Sequence, residues 1–180
     1  MPDLILASAS PRRAELLRLA GFTFDVLVAD VDETVHPGES PEASVRRVAE
    51  RKAEAVRPRA GKRPVLAADT AVVVDDLILG KPADAADATR MLRLLSGRTH
   101  VVMTGVCVDG VSEVESTEVE FSRLTDDEIA WYVASGEPMG KAGAYAIQGL
   151  ASRFITRIHG SYSNVVGLPI ARAYAILMRI

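Results

Sequence analysis

Cysteine is almost absent from the 180-residue chain: Cys107 stands alone, so an intramolecular disulfide is impossible and a cysteine-rich zinc site is excluded. Its flanks, Thr104-Gly-Val-Cys-Val108, predict an apolar strand with a buried, inert thiol. Histidine is scarce too. His36, His100 and His159 lie far apart and form no metal-ligand spacing, which leaves them surface or structural roles. Neither sign of charge dominates. Twenty-one basic against 24 acidic residues give a net charge of −3, no electrostatic footprint for duplex DNA or an anionic membrane, so any basic function must be local. No apolar run reaches membrane-spanning length, and Pro11-Arg12-Arg13 interrupts the first apolar segment, so the chain reads as cytoplasmic and soluble, with no membrane partner. What remains is 48% hydrophobic and 25% charged, the composition of one globular domain over residues 1–180, or two small lobes sharing a core.

Strand and helix signals alternate. Leu4 to Ala7 is a strand that breaks at Ser8-Ala-Ser-Pro11 into a helix with apolar residues at Leu16, Leu17, Leu19 and Ala20, stopped by Gly21. Phe22 to Val28 reads as a second strand, followed by the acidic loop Asp30-Val-Asp-Glu33 and His36-Pro-Gly38. Ser40-Pro41 opens a helix that ends before Pro58. Val65 to Val74 is a long β-branched run broken only by Asp69-Thr70, with a hairpin through Asp75-Asp76 to Leu77-Ile-Leu79. A helix from about Asp84 to Leu95, strands Val101–Val108 and Val114–Phe121 around Asp109-Gly110, and a capping box at Thr125-Asp-Asp-Glu128 follow. A Gly-rich loop over 140–149, a strand near 154–158 and a helix from about Pro169 complete an α/β chain of mixed strand direction.

Candidate chemistry gathers at a few places. Arg12 and Arg13 occupy a first helical turn, where the helix dipole disfavours cations; beside exposed amides they suit a phosphate chain, or else they are solvated residues on an ordinary cap. Lys52 lies on the helix face marked by Val45, Val48 and Val56, so it needs an anion or must snorkel to water. The wider segment from Arg46 to Arg63 holds eight basic and two acidic residues, but lacks interleaved aromatics and reads as a solvated face rather than a nucleic-acid patch. Asp69 is a carboxylate inside an apolar strand, costly to bury without a cation, hydrogen bonds or a metal, and is the best candidate for chemistry. Glu33 could add a second oxygen ligand for a magnesium-like ion carried in by phosphates. Lys81, in Gly80-Lys-Pro82, is a turn lysine or a phosphate contact, and Gln148 offers a donor and an acceptor suited to a nucleobase edge. Walker and dinucleotide glycine fingerprints are missing.

In order along the chain, Leu6-Ala-Ser-Ala-Ser-Pro-Arg-Arg13, Ala68-Asp-Thr70, Gly80-Lys-Pro82, Leu95-Ser-Gly97, Gly143-Ala-Tyr-Ala-Ile-Gln-Gly149 and Gly160-Ser-Tyr-Ser-Asn-Val-Val-Gly-Leu-Pro169 resemble the Maf family of nucleoside triphosphate pyrophosphatases. The resemblance implies a mixed α/β fold, a twisted sheet with flanking helices and two lobes around a cleft, like inosine triphosphate pyrophosphatases, often as a homodimer. It places Asp69 on the catalytic acidic position and Ser8, Arg12, Arg13, Lys52 and Lys81 on positions associated with the substrate's phosphates, with Glu33 and Asp69 as ligands for a divalent cation, magnesium or manganese. Arg12, Thr70 and Gln148 fall on specificity positions of the branch that prefers dTTP and UTP. The branch acting on 7-methyl-GTP differs there, with glutamine where Thr70 stands and Ser-Glu-Gly where Ile147-Gln-Gly149 stands. The expectation is hydrolysis of a pyrimidine nucleoside triphosphate to monophosphate and pyrophosphate, without a stable nucleic-acid complex. The alternatives are the 7-methyl-GTP reaction and a non-catalytic nucleotide-binding regulator of septum formation.

Overall fold

Capping residues and turn chemistry set the elements where the sequence leads one to expect them. The computed structural model describes residues 3–180. Its strands are β1 (Leu4–Leu6), β2 (Phe24–Val26), β3 (Val65–Val74), β4 (Leu77–Leu79), β5 (Thr99–Val108), β6 (Val111–Phe121) and β7 (Ile155–His159). Its helices are α1 (Pro11–Leu19), α2 (Pro41–Val56), α3 (Ala85–Leu95), α4 (Asp126–Ala134), α5 (Tyr162–Val166) and α6 (Ile170–Leu177). Ser10, Ser40 and Asp84 each cap a helix through a side-chain oxygen, and Thr125 and Glu128 form the reciprocal capping box of α4. Asp75 and Asp76 take the left-handed conformation, φ 47° and 62°, that a two-residue hairpin requires between β3 and β4.

The sheet is mixed and seven-stranded, in the order β2-β1-β3-β5-β6-β7 with β4 paired to β3. β1 runs parallel to both β2 and β3, while β3 with β4 and β6 with β7 are antiparallel. One element differs from the sequence reading: β2 covers only Phe24–Val26, three residues of the expected seven. β3 runs on through Asp69-Thr70, and the polar pair stays in the strand, half-buried. The short α5 stands between β7 and α6.

The chain divides into two compact units, neither continuous in sequence. The first comprises the chain through Thr70, Met103–Glu115 and Ser163–Ile180. Its core shows why strand alternation matters. Leu4, Leu6, Leu66, Ala68, Val106 and Val108 pack with Ala14 and Leu17 of α1 and Ala173 and Ile176 of α6. The intervening residues Ile5, Ala7, Val65, Ala67 and Cys107 pack with Ala49, Ala53 and Val56 of α2. Gly105 shares the parity of Cys107, and a Cβ there would collide with the Val45 carbonyl, so α2 can lie close only over a glycine. The second unit, Ala71–Val102 with Ser116–Tyr162, buries Ala88, Met91, Leu92 and Leu95 of α3 and stacks His100, Phe121 and Tyr145 edge to face at centroid distances of 4.9–5.4 Å.

Candidate active site

Strand alternation also sorts the polar pair in β3. Thr70 has the parity of Leu66 and Ala68, the α1 side, and Asp69 that of Val65 and Ala67, the α2 side. Each meets a cation from the helix on its side. On the α1 side, buried Arg13 donates from Nε to the Gly167 carbonyl at 2.7 Å, from Nη1 to Ser8 Oγ at 3.2 Å and from Nη2 to Thr70 Oγ1 at 3.0 Å. Thr70 Oγ1 in turn lies 2.9 Å from Thr104 Oγ1. Three acceptors from three segments therefore fix the guanidinium fork. Burial lowers the Arg13 pKa, Asp69 opposes that, and neighbouring Arg12 lowers it further. Half-buried Arg12 is likewise lowered by burial. Ser8 Oγ also accepts the Ser10 N–H at 3.2 Å, holding the turn from which α1 starts.

On the α2 side, Lys52 Nζ lies 2.8 Å from Asp69 Oδ1 and 2.8 Å from Glu33 Oε1. The lysine side chain is 8% exposed, Asp69 17% and Glu33 44%. Of the two sequence readings of Lys52, an anion partner is the one realised. The acidic loop reaches it because Arg47, one turn earlier on α2, grips Glu39 with Nε and Nη2 at 2.6 and 2.7 Å and donates to the Thr34 carbonyl at 2.9 Å. These bonds and the His36 N–H pull the Glu39 carboxyl down to about 2.

In the second unit, Lys81 is exposed in the turn after β4, and the Gly80 carbonyl accepts the Gly143 N–H at 3.1 Å, tying that turn to the Gly-rich loop. Gly143, at φ 68°, packs so closely on Val72 that a Cβ there would approach it to 2.7 Å. The loop then buries Tyr145, Ala146 and Ile147 and exposes Gln148. Gln148 lines an open depression of about 470 Å³ together with Ile158 and Tyr162.

Among the described residues no group of three or more histidine, cysteine or acidic side chains could hold a metal by itself. Glu33 and Asp69 do supply hard oxygen donors that share one lysine, a set suited to an ion bringing most of its coordination shell as water and phosphate. Several cations of the basic segment from Arg46 to Arg63 have internal partners: Arg46 bonds Glu42, Arg57 bonds Asp109, Arg59 the Val28 carbonyl and Arg63 Asp25. Cys107 is buried in the core, as its flanks predict.

The sequence profile of the Maf family, described as Maf-like protein, matches residues 3–180. The chain is a member of the Maf family. It is 56% identical to a dTTP/UTP pyrophosphatase of Anaeromyxobacter dehalogenans (strain 2CP-C), an alignment covering 99% of this chain and 94% of that protein. Identity is 53% to a dTTP/UTP pyrophosphatase of Koribacter versatilis (strain Ellin345), covering 98% and 93%, and 50% to one of Geobacillus sp. (strain WCH70), covering 100% and 99%. Among solved structures, a HAM1 protein from Coxiella burnetii superposes over 100% of both chains with a TM-score of 0.53 at 18% identity, a likeness of fold alone.

For this Maf chain, the first unit brings Ser8, Arg13 and Thr70 into one hydrogen-bonded set, and Glu33, Lys52 and Asp69 into another. Arg12 stands beside the former. Lys81 and Gln148 belong to the second unit. Sequence reasoning assigned no role to Arg47, Glu39, Thr104 or Gly167. The Arg47–Glu39 pair joins a residue just before the α2 cap to one inside the helix eight positions on, so no i,i+3 or i,i+4 spacing announces it, and Gly167 acts through its carbonyl.

Proposed function

We propose that this Maf protein hydrolyses dTTP and UTP between the α- and β-phosphates, releasing nucleoside monophosphate and pyrophosphate. The observation that carries the reading is Lys52, a buried ammonium shared by two carboxylates whose charges also act on Arg13 in the first turn of α1, next to Arg12. A solitary structural ion pair would need only one carboxylate. Names of relatives at 50–56% identity over nearly the whole chain support the pyrimidine substrate, as does threonine at position 70 with Ile-Gln-Gly at 147–149.

The triphosphate brings several negative charges, which Arg12, the amides of α1 and the exposed Lys81 offset before water approaches phosphorus. Arg13 serves this end by fixing Ser8 and Thr70. Asp69, held by Lys52, orients or deprotonates the attacking water, or holds the ion that does so. Glu33 and Asp69 would hold a magnesium or manganese ion, which when bound lowers the pKa of its water and neutralises phosphate charge. Gln148 reads the base edge through its amide. A homodimer in the cytoplasm completes the proposal; among the described residues no helix is long and apolar enough to cross a membrane.

Pyrophosphate release measured over dTTP, UTP, CTP, dGTP and 7-methyl-GTP, with and without magnesium or manganese, tests the reading. Turnover fastest with dTTP and UTP is expected; turnover confined to 7-methyl-GTP, or nucleotide binding with no release on any substrate, refutes it.

A further inference from the structure

Gln148 sits between two anchor points that converge on one tyrosine and one glutamate. The Tyr132 hydroxyl, on α4, donates to Glu137 Oε2 at 2.7 Å and accepts the N–H of Ala146 at 3.3 Å, two residues before Gln148. Glu137 Oε1 accepts the N–H of Leu150 at 2.9 Å, and Oε2 that of Ala151 at 3.3 Å, just after Gln148. A Cβ at Gly149 would collide with the same carboxylate, so the glycine is what lets the loop close on it. Tyr132 is fully buried against Phe154, and both burial and the Glu137 carboxylate keep its hydroxyl protonated, a permanent donor. A carboxylate that accepts two backbone N–H bonds just after one exposed side chain, joined to a hydroxyl that accepts one just before it, holds the turn's backbone while leaving that side chain outside the clamp.

We propose that the Tyr132–Glu137 pair is a positioning device for Gln148 that sets nucleobase selectivity. This rests on the reading that Gln148 contacts the base. The clamp touches only backbone groups around position 148, so it fixes where that side chain projects, whatever the residue is. Neither Tyr132 nor Glu137 touches substrate in this scheme.

The test compares Glu137→Gln, Tyr132→Phe and Gln148→Ala, reading kcat and KM for dTTP and dGTP and amide exchange at Leu150 and Ala151. A glutamine at 137 turns one acceptor into a donor facing an N–H, so its exchange rates at both amides rise. The dTTP preference over dGTP falls about tenfold, through KM with kcat nearly unchanged. Tyr132→Phe, which removes one hydroxyl from a ring that stays packed, lowers the preference about threefold and serves if the glutamine variant does not fold. In a Gln148→Ala background neither substitution lowers the preference further. If Gln148→Ala reduces the preference while both clamp variants keep it, the clamp proposal is wrong and base reading stands. If Gln148→Ala itself leaves the preference intact, base reading by this residue is wrong and the proposal falls with it. A loss through kcat alone, on both nucleotides equally, also overturns it.

Discussion

Two carboxylates sharing one buried cation lead to an asymmetry between substitutions that can be measured. At 2.8 Å and an effective dielectric constant near 20, each contact of Lys52 carries a gross attraction of about 6 kcal/mol, most of it offset by desolvation. Lys52→Met removes both contacts. Glu33, 44% exposed, can turn its carboxylate into water, but Asp69 at 17% cannot, so the net loss of stability is about 3 kcal/mol, the low end for stranding a buried charge. Asp69→Asn is milder. Lys52 keeps Glu33, and the amide oxygen still accepts a hydrogen bond, so the loss is about 1 kcal/mol. Activity behaves differently, because Asp69→Asn removes the group that orients water and Lys52→Met removes the cation that holds it: pyrophosphate release falls about 10³-fold in Asp69→Asn.

Urea melts read alongside pyrophosphate release separate these effects. The expected pattern is an inactive but stable Asp69→Asn and an inactive, clearly destabilised Lys52→Met, with the double variant more stable than the sum of the single losses. Near-normal turnover by Asp69→Asn removes Asp69 from the chemistry. Equal destabilisation by both single variants means that Lys52 is not shared, and the reasoning from geometry to mechanism fails.

Other residues give sharper local tests. Arg13→Lys can satisfy one of three acceptors, so it costs about 2–3 kcal/mol of stability as well as activity, whereas a mere phosphate ligand would raise KM and leave the urea midpoint alone. His100 is held down to about 4 by burial, with Nε2 2.7 Å from the Tyr145 hydroxyl. Its unfolded form takes a proton near 6.5 and its folded form only near 4, so stability falls as pH drops through that window, by on the order of 3 kcal/mol. His100→Gln should flatten the stability slope between those pH values, and an unchanged slope assigns it to another group. Arg47→Met frees the loop bearing Glu33. Because Arg47 depresses the Glu39 carboxyl, the bond contributes above pH 4.5 and is lost as pH falls toward 2, so wild type and variant should converge in acid melts over that range.

The fold was legible wherever the signal was local. Ser10, Ser40, Thr125 and the aspartates at 75 and 76 act on backbone within three residues, and their effects can be read from a string. Lys52 was legible for a related reason: helical spacing alone places it among Val45, Val48 and Val56, and a buried ammonium demands an anion. Asp69 announced itself as a charge inside a β-branched strand, costly to bury without a partner, and its partner is what the string does not show. The cation on α2 satisfies the carboxylate without distorting the backbone, so β3 runs through and alternation sends Asp69 and Thr70 to different helices.

What stayed hidden is long-range and backbone-directed. Arg13 reaches Gly167, 154 positions away, through a carbonyl that every residue has, and Glu137 reaches the amides of Leu150 and Ala151 in the same anonymous way. In both cases the recognisable side chain lies at only one end of the bond. The glycines mark the other ends. A Cβ at Gly149 would strike the Glu137 carboxylate, and one at Gly167, φ 129°, would sit 3.7 Å from Arg13 Nε in a conformation other residues rarely adopt. Gly149→Ala should therefore reproduce the selectivity loss of Glu137→Gln with both acceptor oxygens intact, because it drives the loop off the carboxylate. If selectivity survives that substitution while exchange at Leu150 accelerates, the glycine serves only the fold, and the geometry of the clamp does not set which base is read.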